Sequence, residues 1–335
     1  MKITTRGLSQ PLVVMQSFSS IRSDTNPYLT QLLDSLPESV SPRLFSWKVA
    51  LVGRFDVLHI HWPENLLRGS SSARSLVRTI AFGLVLLRIR FTSRRLVRTV
   101  HNVNPHESIT EIQRWMINLS ERWTDAWITL ADAVPTPARK PRYVIPIGKS
   151  ANSEGEPLGN TCRFLFFGHI RRYKGVDTLV SQFAELNDPD ASLHVVGAIR
   201  DGAIRAELDP LASADQRVTI RDEYVSEAEL HQAIHDARIV VLPFEGVTNS
   251  SSVILALSMG RPVLTCDAPA IVELQHEVGP DWLMTYPEEL TSRHLQDAIE
   301  KWGQAYPEHA PCLSGRDWPH IGQLHADAYL AAVQT

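Results

Sequence analysis

Residues 163–175 read Arg163-Phe164-Leu165-Phe166-Phe167-Gly168-His169-Ile170-Arg171-Arg172-Tyr173-Lys174-Gly175. An unbroken apolar run, a glycine and then a cationic loop describe a strand buried on both faces that ends at a ligand. Glycine at the strand end lets the backbone come close to that ligand. Arg171 and Lys174 carry the charge to neutralise a diphosphate. Two further stretches share the apolar character: VLHIHW at 57–62 and RIVVLP at 238–243.

Outward from these runs, apolar strands alternate with helix-length segments. In the first half the strands are expected at Pro11–Gln16, Val57–Trp62, Leu96–Val100, Ala126–Leu130 and Tyr143–Ile147. Helices are expected near Pro27–Leu36, Ala73–Ile89 and Ile109–Arg122. The second half gives strands at Arg163–Phe167, Ser192–Val196, Val218–Ile220, Ile239–Leu242 and Pro262–Thr265. Its helices are Val176–Leu186, Ala203–Ala212, Glu227–Ala237, Ser251–Met259 and Ala270–Glu277. The alternation predicts an α/β protein of two parallel-sheet domains. Residues 135–160 hold five prolines and three glycines and suit a connector. The expected division is 1–148, 149–318 and a C-terminal helix, 319–335, able to pack back on the first domain.

The 335 residues balance 33 Lys plus Arg against 37 Asp plus Glu, so total charge implies no nucleic acid partner. Three cysteines without metal-ligand spacing fit a reducing cytoplasm. The N-terminus lacks a signal-peptide pattern, and no apolar run reaches the roughly 18 residues of a spanning helix. Charge is uneven, however: Arg68 to Arg98 includes eight arginines and no acidic residue. Around the apolar run Ile80–Leu87 these arginines, with Arg88, Arg90, Arg94 and Arg95 foremost, suggest a surface lying on an anionic leaflet. An ordinary domain helix with a solvated basic face reads the same way.

Ligands of open parallel sheets bind beyond the strands' C-terminal ends. After RIVVLP come Asn249, Ser250, Ser251 and Ser252 and then the apolar helix VILALSMG. Four capping residues exceed what one helix start needs, and a helix N-terminus favours phosphate. The order GHIRRYKG (168–175), VVG (195–197), VSEAELHQAIHDARIVVLPFEG (225–246), NSSS (249–252) and SMGRPVLTCDAPAIVEL (258–274) resembles the donor domain of GT-B glycosyltransferases. The resemblance covers roughly 120 residues and implies two Rossmann-like domains facing each other across a cleft. It implies a nucleoside-diphosphate sugar held by Gly168, Arg171, Lys174 and Asn249 to Ser252, with Glu223 and Tyr224 near the base. Many relatives have arginine where His169 stands. The retaining members' two glutamates would fall on Val247 and Leu255 when aligned on Gly260-Arg261-Pro262-Val263. That favours inversion.

In the first half, Pro63-Glu64 follows VLHIHW, and His101-Asn102-Val103-Asn104-Pro105-His106-Glu107 follows LVRTV. An inverting transfer needs one base for the acceptor hydroxyl. Glu64, His101 and Glu107 are the candidates, in that order. NPYL (26–29), DVLHIHWPE (56–64) and TVHNVNPHE (99–107) resemble the xanthan-type β-mannosyltransferases. That resemblance implies GDP-mannose as donor, a polyprenyl-diphosphate-linked oligosaccharide as acceptor, and exopolysaccharide assembly on the inner face of the cell membrane. No cofactor is expected. Asp188-Pro189-Asp190 lies before a strand, at the wrong end of the sheet, so no metal is expected either. A retaining enzyme without the acidic pair, or a non-catalytic glycolipid-binding protein, are the competing readings.

Overall fold

The computed structural model describes residues 10–22, 25–101, 110–137, 139–150, 162–244, 251–303 and 305–334. Two compact units emerge. One comprises Met1–Gly148 with Gly315–Thr335, the other Lys149–Ser314. Residues 315–318 thus go with the first unit, which takes up the chain again four residues earlier than expected.

The first unit runs β1 (Leu12–Gln16), α1 (Pro27–Ser35), β2 (Val40–Arg43), α2 (Trp47–Val52), β3 (Val57–Ile60), α3 (Pro63–Leu67), α4 (Ser72–Arg90), β4 (Arg95–Val100), α5 (Glu111–Trp123), β5 (Ala126–Thr129) and β6 (Arg142–Val144). Its six strands are all parallel, in the order β2-β1-β3-β4-β5-β6. Strand β2, with the sequence VSPR, has only one buried residue, which is why its apolar signal is too weak to read.

Side chains alternate across the sheet. Met15, Leu58, Ile60 and Leu96 join Phe82, Val85, Met116 and Ile117 in a core under α2 to α5. Val14, Val57, Val97 and Ile128 face the other way. There they meet Ile321, Ala328, Tyr329 and Ala332 of the C-terminal helix, whose bounds are Trp318–Gln334.

The second unit runs β7 (Cys162–Phe167), a 3-10 turn (Arg172–Lys174), α6 (Val176–Ala184), β8 (Leu193–Val196), α7 (Gly202–Ala214), β9 (Val218–Arg221), α8 (Glu227–Asp236), β10 (Ala237–Leu242), α9 (Ser251–Ser258), β11 (Val263–Cys266), α10 (Pro269–Val278), β12 (Leu283–Tyr286) and α11 (Ser292–Trp302). The helix Trp318–Gln334, α12, belongs to the first unit. Order β12-β11-β10-β7-β8-β9 is the dinucleotide-fold order, read from its far edge.

Both sheets reverse direction once along their order. In the first the reversal lies between β1 and β3, in the second between β7 and β10. The crevice at such a point, outside the strands' C-terminal ends, is where open α/β sheets bind ligands.

Candidate active site

In the second unit the reversal is occupied by the cationic loop. Gly168 has φ +117°, a conformation that side chains other than glycine's rarely adopt. Gly175 has φ +61°, and a Cβ there would sit 2.5 Å from the carbonyl oxygen of Pro243, just beyond β10. Glycine is therefore what lets the loop after β7 lie against the end of β10.

That contact places Lys174 Nζ 3.3 Å from the centre of the Phe244 ring. Burial, then the neighbouring Arg171 guanidinium, pushes the Lys174 ammonium down to about 8. Among the described residues no carboxylate pairs with it. A desolvated ammonium next to an exposed guanidinium is a receptor for an anion. Arg172 is different: it grips Glu207 with two bonds, 2.9 and 3.0 Å long, and α7 is its partner.

The other donor-side candidates divide. Glu223 is ion-paired with Arg221, which also holds Glu229 at 2.5 Å. Tyr224 is exposed. Ser251 and Ser252 open α9. Asn249 and Ser250 lie outside the described residues, and so does Val247; Leu255 is in α9.

Replacing Lys174 by methionine should weaken donor binding about 10- to 100-fold, the loss of one hydrogen bond to a charged group. Calorimetry with the nucleoside diphosphate reads this directly. The ammonium is charged below its value of about 8 and neutral above it. Donor affinity of the wild type should therefore fall as pH rises past 8. In Lys174→Arg that fall should vanish, because a guanidinium stays charged.

In the first unit the reversal holds a buried polar cluster that the strand pattern conceals. His59 and His61 lie two residues apart, so they share one face of the sheet. His59 Nε2 is 2.7 Å from Thr99 Oγ1, and its Nδ1 is 2.8 Å from the Tyr329 hydroxyl. His61 Nε2 is 3.0 Å from Gln16 Oε1, and its Nδ1 is 3.0 Å from His101 Nε2. His325 Nδ1 donates to the carbonyl of Ile321, so its Nε2 accepts from the Tyr28 hydroxyl at 3.2 Å.

Burial holds His59 and His61 well below the usual imidazole range, with neighbouring histidines adding to the effect. Burial likewise lowers His101 to about 3, with His325 and Arg98 contributing, and His325 to about 4. All four rings are neutral at pH 7.

Trp62 stacks on His101, with centroids 4.2 Å apart and planes 19° from parallel. Glu64, two residues on, is half-buried in the first turn of α3, and its carboxylate has no partner among the described residues. Glu107 lies outside them. Glu64 and His101 are thus both beside the first sheet's reversal. Gln16, Tyr28, His59, His61, His325 and Tyr329 are not among the site residues that the sequence points to. The i, i+2 histidines in VLHIHW were the available signal.

The four arginines between the end of α4 and the start of β4 lie elsewhere. Arg88 and Arg90 end α4, and Arg95 opens β4, about 20 Å from His101 by strand rise. Arg88 donates to the carbonyls of Val49, Ala50 and Gly53 at 2.6–3.1 Å, closing α2. Arg95 donates to Ala332 O at the end of α12, at 2.9 Å. Arg94 lies over the Phe55 ring. Only Arg90 of the four is exposed. Arg88, Arg94 and Arg95 are therefore held by the fold itself, a correction to reading all four as an outward basic face.

A group 1 glycosyl transferase family model matches residues 161–302, the span that holds the cationic loop and α9. Among solved structures, sucrose-phosphate synthase from Thermosynechococcus elongatus superposes with a TM-score of 0.63. It is 14% identical and covers 97% of this chain and 95% of its own. Anabaena Alr3699/HepE, in complex with UDP, gives 0.57 at 15% identity over 97% and 98%. The fold and the loop at its reversal point define a GT-B glycosyltransferase. The GDP-mannose:glycolipid 4-beta-D-mannosyltransferase of Xanthomonas campestris pv. campestris is 36% identical over 98% of this chain and 95% of that protein. The chain belongs to that protein's family.

Proposed function

We propose that this enzyme moves mannose from GDP-mannose to a sugar of a polyprenyl-diphosphate-linked oligosaccharide, with inversion, in exopolysaccharide assembly. The observation that carries the proposal is the 36% identity with the mannosyltransferase across 98% of the chain. GDP-mannose carries its sugar in the α configuration, and a β-linked product requires inversion at the anomeric carbon. Leu255, where a retaining relative would have glutamate, supports the same direction. Glu64 takes the proton of the attacking hydroxyl. Arg171, Lys174 and the start of α9 offset the charge on the leaving diphosphate without a metal or cofactor.

The test is a turnover assay with GDP-mannose and a lipid-linked oligosaccharide, followed by NMR of the product. A β-mannoside is expected. An α product overturns inversion, and turnover only with another sugar nucleotide overturns the donor.

A peripheral position on the inner face of the membrane follows from the acceptor. No helix among the described residues is long and apolar enough to cross a membrane. Helix α4 is apolar on two sides. Phe82, Val85, Leu86 and Ile89 face the core, while Leu76, Val77, Ile80, Leu84, Leu87 and the following Phe91 are exposed, Phe91 at 79%. At 100° per residue those six fall in one sector of about 100°, a continuous apolar stripe. Such a stripe beside Arg74 and Arg90 suits the headgroup boundary. The protein should float with anionic vesicles at low salt, and Leu84→Glu with Phe91→Glu should abolish this. Absence of flotation by the wild type would count against membrane contact.

A further inference from the structure

The contacts around His101 determine which of its nitrogens bears the proton. The Gln16 oxygen at 3.0 Å from His61 Nε2 can only accept, so that nitrogen carries the hydrogen. A neutral imidazole has a single N–H. His61 Nδ1 is then a lone pair, and the bond at 3.0 Å between the rings runs from His101 Nε2–H to His61 Nδ1. His101 Nδ1 is left as a bare acceptor.

The ring cannot easily turn to reverse this. Trp62 covers its face, and Tyr28 meets it edge-on with centroids 5.2 Å apart. Gln16 and His61 are 0% and 2% exposed, so water does not compete for the chain of bonds. Gln16 ends β1 and His61 follows β3, the two strands that flank the reversal point.

We propose that Gln16 and His61 are positioning residues that hold His101 in its Nε2–H tautomer, so that Nδ1 accepts a hydrogen bond from a hydroxyl of the sugar substrate. The proposal rests on the reading above that this strand-end cluster serves the transfer. The depressed basicity of His101 accords with this role. It keeps the ring a neutral acceptor and leaves the proton transfer to Glu64.

The experiment is ¹H–¹⁵N correlation NMR of histidine-labelled enzyme, with the His101 signals assigned by their loss in His101→Gln. Wild type should show Nε2 protonated and Nδ1 bare at pH 7. Gln16→Leu removes the anchoring acceptor and should lose that tautomer preference, with the sugar acceptor's KM rising or kcat falling about 3- to 10-fold, the worth of one hydrogen bond. Donor affinity should not change. Gln16→Glu keeps an acceptor oxygen and should retain the wild-type tautomer. A melting curve confirms that each variant is folded. A proton on Nδ1 in the wild type, or an unaltered His101 tautomer in Gln16→Leu, overturns the proposal. A His101→Gln enzyme with full turnover overturns instead the reading on which it rests.

Discussion

Glu64→Gln is expected to lower kcat by about 10²- to 10⁴-fold, the usual worth of a positioned general base. The change is nearly isosteric. The side chain is half-buried after Pro63 and, among the described residues, makes no bond that glutamine would break. Folding and donor binding should therefore be preserved, and the loss should fall on the chemical step. Steady-state kinetics should show kcat and kcat/KM falling together, as when an interaction made only in the transition state is removed. Calorimetry with the donor should be unchanged. If Glu64→Gln turns over at the wild-type rate, the base is another residue. His101 is the next candidate, but its basicity is low: at about 3 it takes a proton reluctantly. Glu107 would then be the stronger alternative.

The second large effect is on stability in acid. His59, His61 and His325 are 0%, 2% and 0% exposed and neutral in the fold. Unfolded, each would titrate near 6.5; folded, His325 does so near 4, and the other two lie well below the usual value. A depressed imidazole makes the unfolded state bind more protons below pH 6.5. The stabilisation is thus complete above about 6.5 and is lost as pH falls toward 4. His325 costs about 1.4 kcal/mol per pH unit in that window, and His59 and His61 act in the same direction. The loss is set against the roughly 5–15 kcal/mol that holds a typical domain. Urea midpoints of the first unit should drop steeply between pH 7 and pH 5. His325→Gln, which removes one titrating ring, should make the slope shallower even if it lowers stability at pH 7. An unchanged slope would show that His325 does not contribute.

The donor loop was legible because everything that makes it lies within a few residues. An apolar strand, a glycine at φ +117° and three cations all fall between Phe164 and Lys174. The same holds for Glu64, set by Pro63 at the end of a strand. Arg88, by contrast, reads as a surface cation in its own helix. Its partners are three carbonyls more than 30 residues earlier, and no local pattern reveals them.

The alternation of strand and helix, the two parallel sheets and the cationic loop were thus determined by the sequence itself. They depend on period, propensity and charge, which act between near neighbours. Only the tertiary structure decided the histidine cluster and the place of α12. His59 meets Tyr329 across 270 positions, and Tyr28 meets His325 across 297. Burial far from water, rather than residue type, makes those rings neutral. It arises only when a helix from the end of the chain closes the open face of the first sheet.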